Sequence, residues 1–282
     1  MPEILRYAAF TERADGGNPA GVVPDATGLD AAAMRAIAAE LGYSETAFLC
    51  PQGDGIHDVR YFSPLAEVPF CGHATIAAAV AIAEREGPGL LRFRTRNGEV
   101  LVETTREDGR TRATLTSVEP HVEPAPDTLL APALAALRWH ADELDPALPP
   151  RVAYAGARHL VLAARTRERL RRLDYDFAAL QATMLAHDLT TVHLVWRETP
   201  VRFHARDPFP VGGVVEDPAT GAAAAAFGAY LRTLGLVTPP ATVTIVQGED
   251  MGRPSLLTVG IGARGGIRVS GRAVPITAPQ PA

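Results

Sequence analysis

The feature that most constrains the fold is a segment that occurs twice. DVRYFSPLAEVPFCGHATIAAAVAIAE fills residues 58–84, and PVRFHARDPFPVGGVVEDPATGAAAAAFGAYL fills residues 200–231. Each begins with Val-Arg-aromatic in a β-rich run, passes a loop and ends in an alanine-rich stretch with helix character. Around the loop they align without a gap. Glu67-Val68-Pro69-Phe70-Cys71-Gly72-His73-Ala74 lies over Glu216-Asp217-Pro218-Ala219-Thr220-Gly221-Ala222-Ala223, and the shared pattern is E-x-P-x-x-G-x-A. Chance similarity between alanine-rich segments is the competing explanation. The matching strand and helix signals on both flanks favour an internal duplication. Two α+β lobes, each with one alanine-rich helix, is the simplest assembly. A helix of small residues allows close approach on all sides, which suits burial inside a curved sheet.

The 282 residues suggest two domains or one large one at ~100–200 residues per domain. We expect an N-terminal lobe over 1–117, completed by a last strand at about 267–278, and a C-terminal lobe over 151–266. Between them, residues 118–150 hold seven prolines. Proline restricts itself and the residue before it, so this stretch is expected to be a connection, with a helix in LAALRWHADEL. Ile4–Phe10 reads as an edge strand. Asp30–Leu41 reads as a helix capped by Asp30 and closed by Gly42. Thr46–Leu49 resumes as a strand. Leu90–Arg96 and Val100–Thr105 suggest a hairpin turning at Asn97-Gly98, and Leu256–Ile261 with Gly266–Val269 suggests another.

Composition excludes several chemistries. All 27 basic residues are arginine. Without lysine there is no Schiff base to pyridoxal phosphate or to a carbonyl substrate, and no Walker A phosphate grip. Cys50 and Cys71 form no disulfide framework and no zinc spacing, which predicts no metal and a cytoplasmic address. A net charge of −5 gives no nucleic-acid footprint. The N-terminus does not read as a signal peptide, and no apolar run is long enough to span a bilayer.

The repeated loops are where chemistry is expected. Each runs from proline through glycine into a helix, whose first N–H groups are unpaired and point outward. Such an end is a ready anion site. Two of them facing each other would make one pocket suited to a small carboxylic acid. Taken singly, each glycine could equally serve only a tight turn. His73 and Asp217 sit in these loops, and both residue types can handle protons. Asp217 could instead be a helix N-cap, and His73 a satisfied surface residue. Glu45, in SETAF, leads into an apolar strand. There it could be a general base with a raised pKa, or simply a solvated turn residue. Gly16–Gly21 has turn chemistry but lacks the lysine and spacing of a phosphate loop. Arg169, Arg171 and Arg172 read as a solvated helix face.

At these residues the chain resembles the PhzF-like isomerase family of phenazine biosynthesis, which shares its fold with diaminopimelate epimerase and proline racemase. The matching pieces are GGNPAGVV (16–23), SETAFL (44–49), VRYFSPLAEVPFCGHATIAAA (59–79), EDPATGAAAA (216–225), QGEDMGRPS (247–255) and VSGRAVPI (269–276). The resemblance implies an α+β fold of two pseudo-symmetric lobes, each a curved, mostly antiparallel sheet wrapped around a central helix. It also implies an active site between the lobes, cofactor-independent chemistry and usually a homodimer. The family's catalytic glutamate, histidine and aspartate map to Glu45, His73 and Asp217. Gly72, Gly221 and Asn18 map to substrate binding.

Two departures matter. The family commonly has serine where this chain has Ala222, so a hydroxyl is missing. The related racemases use two cysteines. Cys71 takes one place, but Thr220 takes the other, and its hydroxyl is far too weak an acid to replace a thiol. A two-thiol racemase is therefore not expected, and Cys71 reads as a small buried residue behind the loop. The reading that follows is an isomerase moving a proton within a small carboxylic acid. The alternatives are a single-base amino-acid epimerase or racemase, and a non-catalytic metabolite-binding dimeric protein.

Overall fold

A helix can be enclosed by strands only if its side chains are small enough all round, and α2 (Gly72–Glu86) meets that condition. The computed structural model describes residues 2–277, and every residue of α2 from His73 to Ala83 is buried. This helix belongs to the first of two compact units, formed by residues up to Thr116 together with those from Ser270 onward. Its other elements are β1 (Leu5–Ala9), β2 (Asn18–Val23), α1 (Ala31–Leu41), β3 (Glu45–Gly53), β4 (Ile56–Phe62), β5 (Glu67–Val68), β6 (Leu90–Thr95), β7 (Gly98–Glu107) and β8 (Arg110–Thr116). Strand pairing runs β1, β2, β3, β4, β6, β7, β8. It returns to β1 through β17 (Arg268–Pro275), which pairs with both β8 and β1. The ring is mixed: β2–β3 and β4–β6 are parallel, whereas β1–β17, β1–β2, β3–β4, β6–β7 and β7–β8 are antiparallel. α2 packs against β1, β2, β3, β7 and β8.

The second unit covers Ser117–Val269. It contains β9 (His121–Pro124), α3 (Asp127–Leu137), β10 (Arg151–Tyr154), β11 (Arg158–Ala163), α4 (Arg167–Arg171), α5 (Phe177–Ala186), β12 (Thr191–Thr199), β13 (Arg202–Phe209), β14 (Val214–Asp217), α6 (Gly221–Thr233), β15 (Ala241–Gln247) and β16 (Ser255–Ile261). Its strands pair in the order β9, β10, β11, β12, β13, β15, β16. The parallel pairs are β11–β12 and β13–β15, so the sequence of orientations from β2 to β7 recurs from β11 to β16. α6, buried from Ala223 to Leu231, packs against β9, β10, β11 and β16.

Local signals locate several elements. Asp30 caps α1 by accepting from the Ala33 N–H at 2.8 Å, and Gly42 closes it at φ 69°, where a left-handed residue ends a helix most cheaply without a Cβ. Other expectations need correction. β1 is no edge strand, because the C-terminal strand β17 lies along its second side. The first hairpin turns at Arg96-Asn97, and Gly98 is already the first residue of β7, opposite Thr95. The strand expected at Gly266–Val269 starts at Arg268 and runs to Pro275. The last-strand range of 267–278 extends to residue 278, which lies outside the described residues.

The proline-rich stretch 118–150 is not a bare connection. It supplies β9 and α3 to the second unit. Leu129, Ala133, Leu137, Trp139 and Leu144 join the same apolar cluster as Leu180 and Met184 of α5. The helix lies at Asp127–Leu137, earlier than expected, with Pro132 inside it. LAALRWHADEL is α-helical only as far as Leu137, since Arg138 turns left-handed at φ 56°, and its Ala141–Glu143 form a separate short 3₁₀ turn. Arg171 and Arg172 are exposed, but Arg169 lies over the Trp139 ring at 5.0 Å. No helix among the described residues is long and apolar enough to cross a membrane.

The tightest small-residue requirement is at Gly228 of α6. A Cβ there would lie 2.7 Å from Val259 Cγ1 and 2.8 Å from Ile267 Cγ2. Gly228→Leu is expected to destabilise the fold by at least about 1–3 kcal/mol through overpacking. Urea denaturation checks this, and an unchanged midpoint would contradict it.

Candidate active site

Three side chains with titratable groups meet at the N-terminus of α2. Glu45 is the first residue of β3, Cys71 is the N-cap of α2 and His73 is its second residue. Cys71 Sγ lies 3.6 Å from Glu45 Oε2, and His73 Nε2 lies 3.5 Å from the same oxygen. Ser44 Oγ is 3.3 Å from His73 Nε2. The Glu45 side chain is 14% exposed and that of His73 6%, so neither is a solvated turn or surface group. Burial pushes the His73 pKa down, and the Glu45 carboxylate pushes it partly back.

Among the described residues, these three form the group whose donor atoms all lie within 4.8 Å of one another, close enough for a metal ion. Cys71 Sγ is 3.4 Å from His73 Nδ1 and 3.8 Å from Nε2.

The helix end itself is held from behind. Thr75 Oγ1 donates to the Cys71 carbonyl at 2.7 Å. Its single proton is then used, so Tyr61 is the donor in the 2.7 Å Tyr61–Thr75 hydroxyl contact. Burial holds the Tyr61 phenol well above its ordinary pKa. The side chain of Cys71 makes no cap to the first N–H groups of α2. An uncapped first turn fits an anion.

In the second unit the corresponding helix end is also without a side-chain cap, and its N-cap is Thr220 rather than Asp217. Asp217 ends β14, where its carboxylate Oδ2 accepts from Thr220 Oγ1 at 2.5 Å. Gln247, the last residue of β15 and fully buried, holds the same loop. Its Oε1 accepts from the Thr220 N–H at 3.1 Å. Its Nε2 donates to the Asp217 carbonyl at 2.8 Å and to Thr220 Oγ1 at 3.1 Å. Asn18 is the first residue of β2, buried and opposite Ala9.

The strand registers correct the alignment upstream of the loops. Phe62 faces Glu67, and Pro208 faces Glu216. The counterpart of Arg60 is therefore Arg206, not the Arg202 of the Val-Arg-aromatic match. A longer β13–β14 loop absorbs the offset. Both arginines grip the motif glutamate with two hydrogen bonds: Arg60 to Glu67 at 2.8 and 2.7 Å, Arg206 to Glu216 at 2.9 and 2.5 Å. The glutamates of E-x-P-x-x-G-x-A thus fasten the loop to its neighbouring strand.

Continuing the registers, Phe48 faces Arg60 and Leu194 faces Arg206, so Glu45 corresponds to Thr191. In the loops, Cys71 corresponds to Thr220 and His73 to Ala222. The thiol, imidazole and carboxylate cluster therefore belongs to one copy only. Thr191 Oγ1 instead contacts His159 Nδ1 at 2.8 Å. Full burial and the nearby His193 push His159 down to about 3. Sequence reasoning singled out Glu45, His73 and Asp217. It set Cys71 behind the loop, although the thiol lies against both Glu45 and His73, and it gave Gln247 no role. The signal for Gln247 was its place in QGEDMGRPS, a motif with no chemistry of its own.

Comparison with known proteins adds independent findings. The family model described as phenazine biosynthesis-like protein matches residues 7–278. An uncharacterized isomerase of Escherichia coli (strain K12) is 32% identical, over 97% of this chain and 96% of its own. The trans-2,3-dihydro-3-hydroxyanthranilate isomerase of Pseudomonas fluorescens is 31% identical, over 86% of this chain and 84% of its own. A solved structure from Pseudomonas aeruginosa, described as a predicted epimerase, superposes with a TM-score of 0.84. It is 29% identical and covers 98% of this chain and 97% of its own.

Two outcomes are expected from this geometry. The Arg206 and Glu216 side chains are 10% and 4% exposed, those of Arg60 and Glu67 31% and 13%. Burial, helped by the Asp207 and Asp250 carboxylates, pushes Glu216 up, and Arg206 opposes it. Arg206→Met should cost about 3–5 kcal/mol by orphaning a buried carboxylate, and Arg60→Met distinctly less. Equal costs in urea denaturation would contradict the difference in burial. Because His159 titrates lower folded than unfolded, the unfolded chain binds more protons on acidification. This residue therefore removes stability as pH falls from about 6.5 toward about 3. His159→Gln should flatten the decline of Tm between neutral and acidic pH, whereas an unaltered slope would refute it.

Proposed function

The chain belongs to the phenazine biosynthesis-like protein family, and on that footing we propose that it is an isomerase that moves a proton within a small carboxylic acid without a cofactor. Glu45 takes a proton from one carbon of the substrate and returns one to another. The observation that carries this reading is the cluster at the start of α2. There a carboxylate lies 3.5 Å from a buried imidazole, beside a helix N-terminus with no side-chain cap. Removing a proton next to a carboxylate creates negative charge, and fixed N–H dipoles stabilise it. The N–H groups around Gly72 serve that role, and the loop repeat assigns the same role to those around Gly221. His73, neutral by burial, accepts or donates a hydrogen bond without adding charge. Asp217 assists, and Asn18 contributes to binding.

Ala222 narrows the substrate. Its relative from Pseudomonas fluorescens is named for trans-2,3-dihydro-3-hydroxyanthranilate. At the position where this family commonly carries a serine hydroxyl, this chain offers a methyl group. Losing such a contact costs about 1–3 kcal/mol where it leaves a buried partner unpaired. The preferred substrate is therefore a small acid that needs no hydrogen bond there. Single-base epimerisation is the second reading. It is supported by a relative in structure described as an epimerase and by the same single carboxylate.

The test is proton–deuterium exchange followed by NMR in heavy water. A panel of small amino, hydroxy and cyclic unsaturated acids is incubated with the wild type and with Glu45→Gln. The wild type is expected to exchange at least one acid, and the variant to lose that activity by roughly 100- to 10,000-fold while still binding it. Deuterium at a second carbon identifies an isomerase, and deuterium confined to one stereocentre an epimerase. Full exchange by Glu45→Gln would overturn the mechanism.

A further inference from the structure

Gln247 is a buried amide whose orientation can be assigned from its partners alone. The Thr220 N–H can only donate, so the atom facing it is Oε1. The Asp217 carbonyl can only accept, so the atom facing it is Nε2. The same Nε2 also reaches Thr220 Oγ1 at 3.1 Å. Thr220 thus receives a hydrogen bond at its oxygen, and its one proton points to Asp217 Oδ2 at 2.5 Å. The result is a directed chain from the Gln247 amide through the Thr220 hydroxyl to the Asp217 carboxylate. All three residues are buried. Chains of this kind strengthen each member through mutual polarisation. A hydroxyl fixed as donor favours the charged form of the carboxylate it meets.

We propose that Gln247 is a positioning residue that, through Thr220, holds Asp217 as an ionised hydrogen-bond acceptor. Gly248, at φ 75°, supports the arrangement. A Cβ there would meet the Arg253 carbonyl oxygen at 2.3 Å and the Pro218 carbonyl oxygen at 2.7 Å. The backbone after Gln247 is therefore drawn against the Asp217–Thr220 loop. The first copy has no equivalent. Its counterpart strand carries Thr95 at the position of Gln247, since Asp58 faces Arg94 as His204 faces Val246. The device is thus peculiar to the copy that holds Asp217. The proposal rests on the functional reading only in giving Asp217 something to do, and its test does not depend on turnover.

Gln247→Glu reverses the chain. A carboxylate at position 247 accepts the Thr220 proton and withdraws it from Asp217. Because it also adds charge, the decisive experiment is a double-mutant cycle with Thr220→Val. The Asp217 side-chain carboxyl is followed by 13C NMR across pH in protein labelled at aspartate, with Asp217→Asn to assign the signal. The expected titration midpoint rises by about one pH unit in Thr220→Val and rises similarly in Gln247→Glu. Thr220→Ser, which keeps the hydroxyl, stays at the wild-type value. In the Thr220→Val background, Gln247→Glu keeps only the effect of its charge and raises the midpoint by less than it does in the wild-type background. Midpoints unmoved in both single variants, or a Gln247→Glu shift equal in both backgrounds, would overturn the relay. If Gln247→Glu does not fold, Thr220→Val against Thr220→Ser decides alone. The acidic limb of the exchange–pH profile should follow the carboxyl midpoint. If the midpoint moves while the profile does not, the relay stands and the role of Asp217 in proton transfer fails.

Discussion

The structure depends on the burial of one helix end. α2 is enclosed by strands, so its first turn is not free to seek water, and the side chain of its N-cap, Cys71, does not cap it. Free N–H groups at such a place are costly unless something negative meets them. The chain places there a carboxylate from β3, an imidazole and a thiol, all within hydrogen-bonding range of one another. The buried Tyr61–Thr75–Cys71 contacts fix the helix end in position. Enclosure explains the alanine-rich sequence of α2.

The two copies share a frame and differ in the titratable groups they carry. The two copies share strand orientations, an arginine–glutamate clamp and a glycine at the first helical position. They differ at every titratable position of the cluster: Glu45 against Thr191, Cys71 against Thr220, His73 against Ala222. The second copy instead fixes Asp217 through Thr220 and Gln247. The shared clamps lie outside the reacting groups, as expected if the repeat encodes loop position and not reaction type. Fold alone therefore does not determine the reaction.

Much of this was legible in the sequence. The gapless loop pattern placed Gly72 and Gly221 at the first positions of their helices, and SETAF placed Glu45 at a strand start. Local rules worked where the cause was local, as at Asp30 and Gly42. They failed where the cause was distant. β1 reads as an edge because its second partner is more than 260 residues away in the chain. Proline content pointed to a connection at 118–150, although the leucines between the prolines had a core to join. The Val-Arg-aromatic match chose Arg202 over Arg206, since only strand register reveals which arginine faces the motif glutamate. Gln247 carried no signal beyond its place in a motif, because its three hydrogen bonds reach a loop about thirty residues earlier.

The central claim is that a substrate carboxylate is held at an uncapped helix end beside Glu45. The most direct test is backbone amide NMR of the Glu45→Gln protein, titrated with whichever acid the wild type exchanges. Saturable shifts at Gly72, His73 and Ala74, with a weaker response at the far end of α2, are the predicted result. Saturable binding that leaves those three amides unmoved would contradict the account.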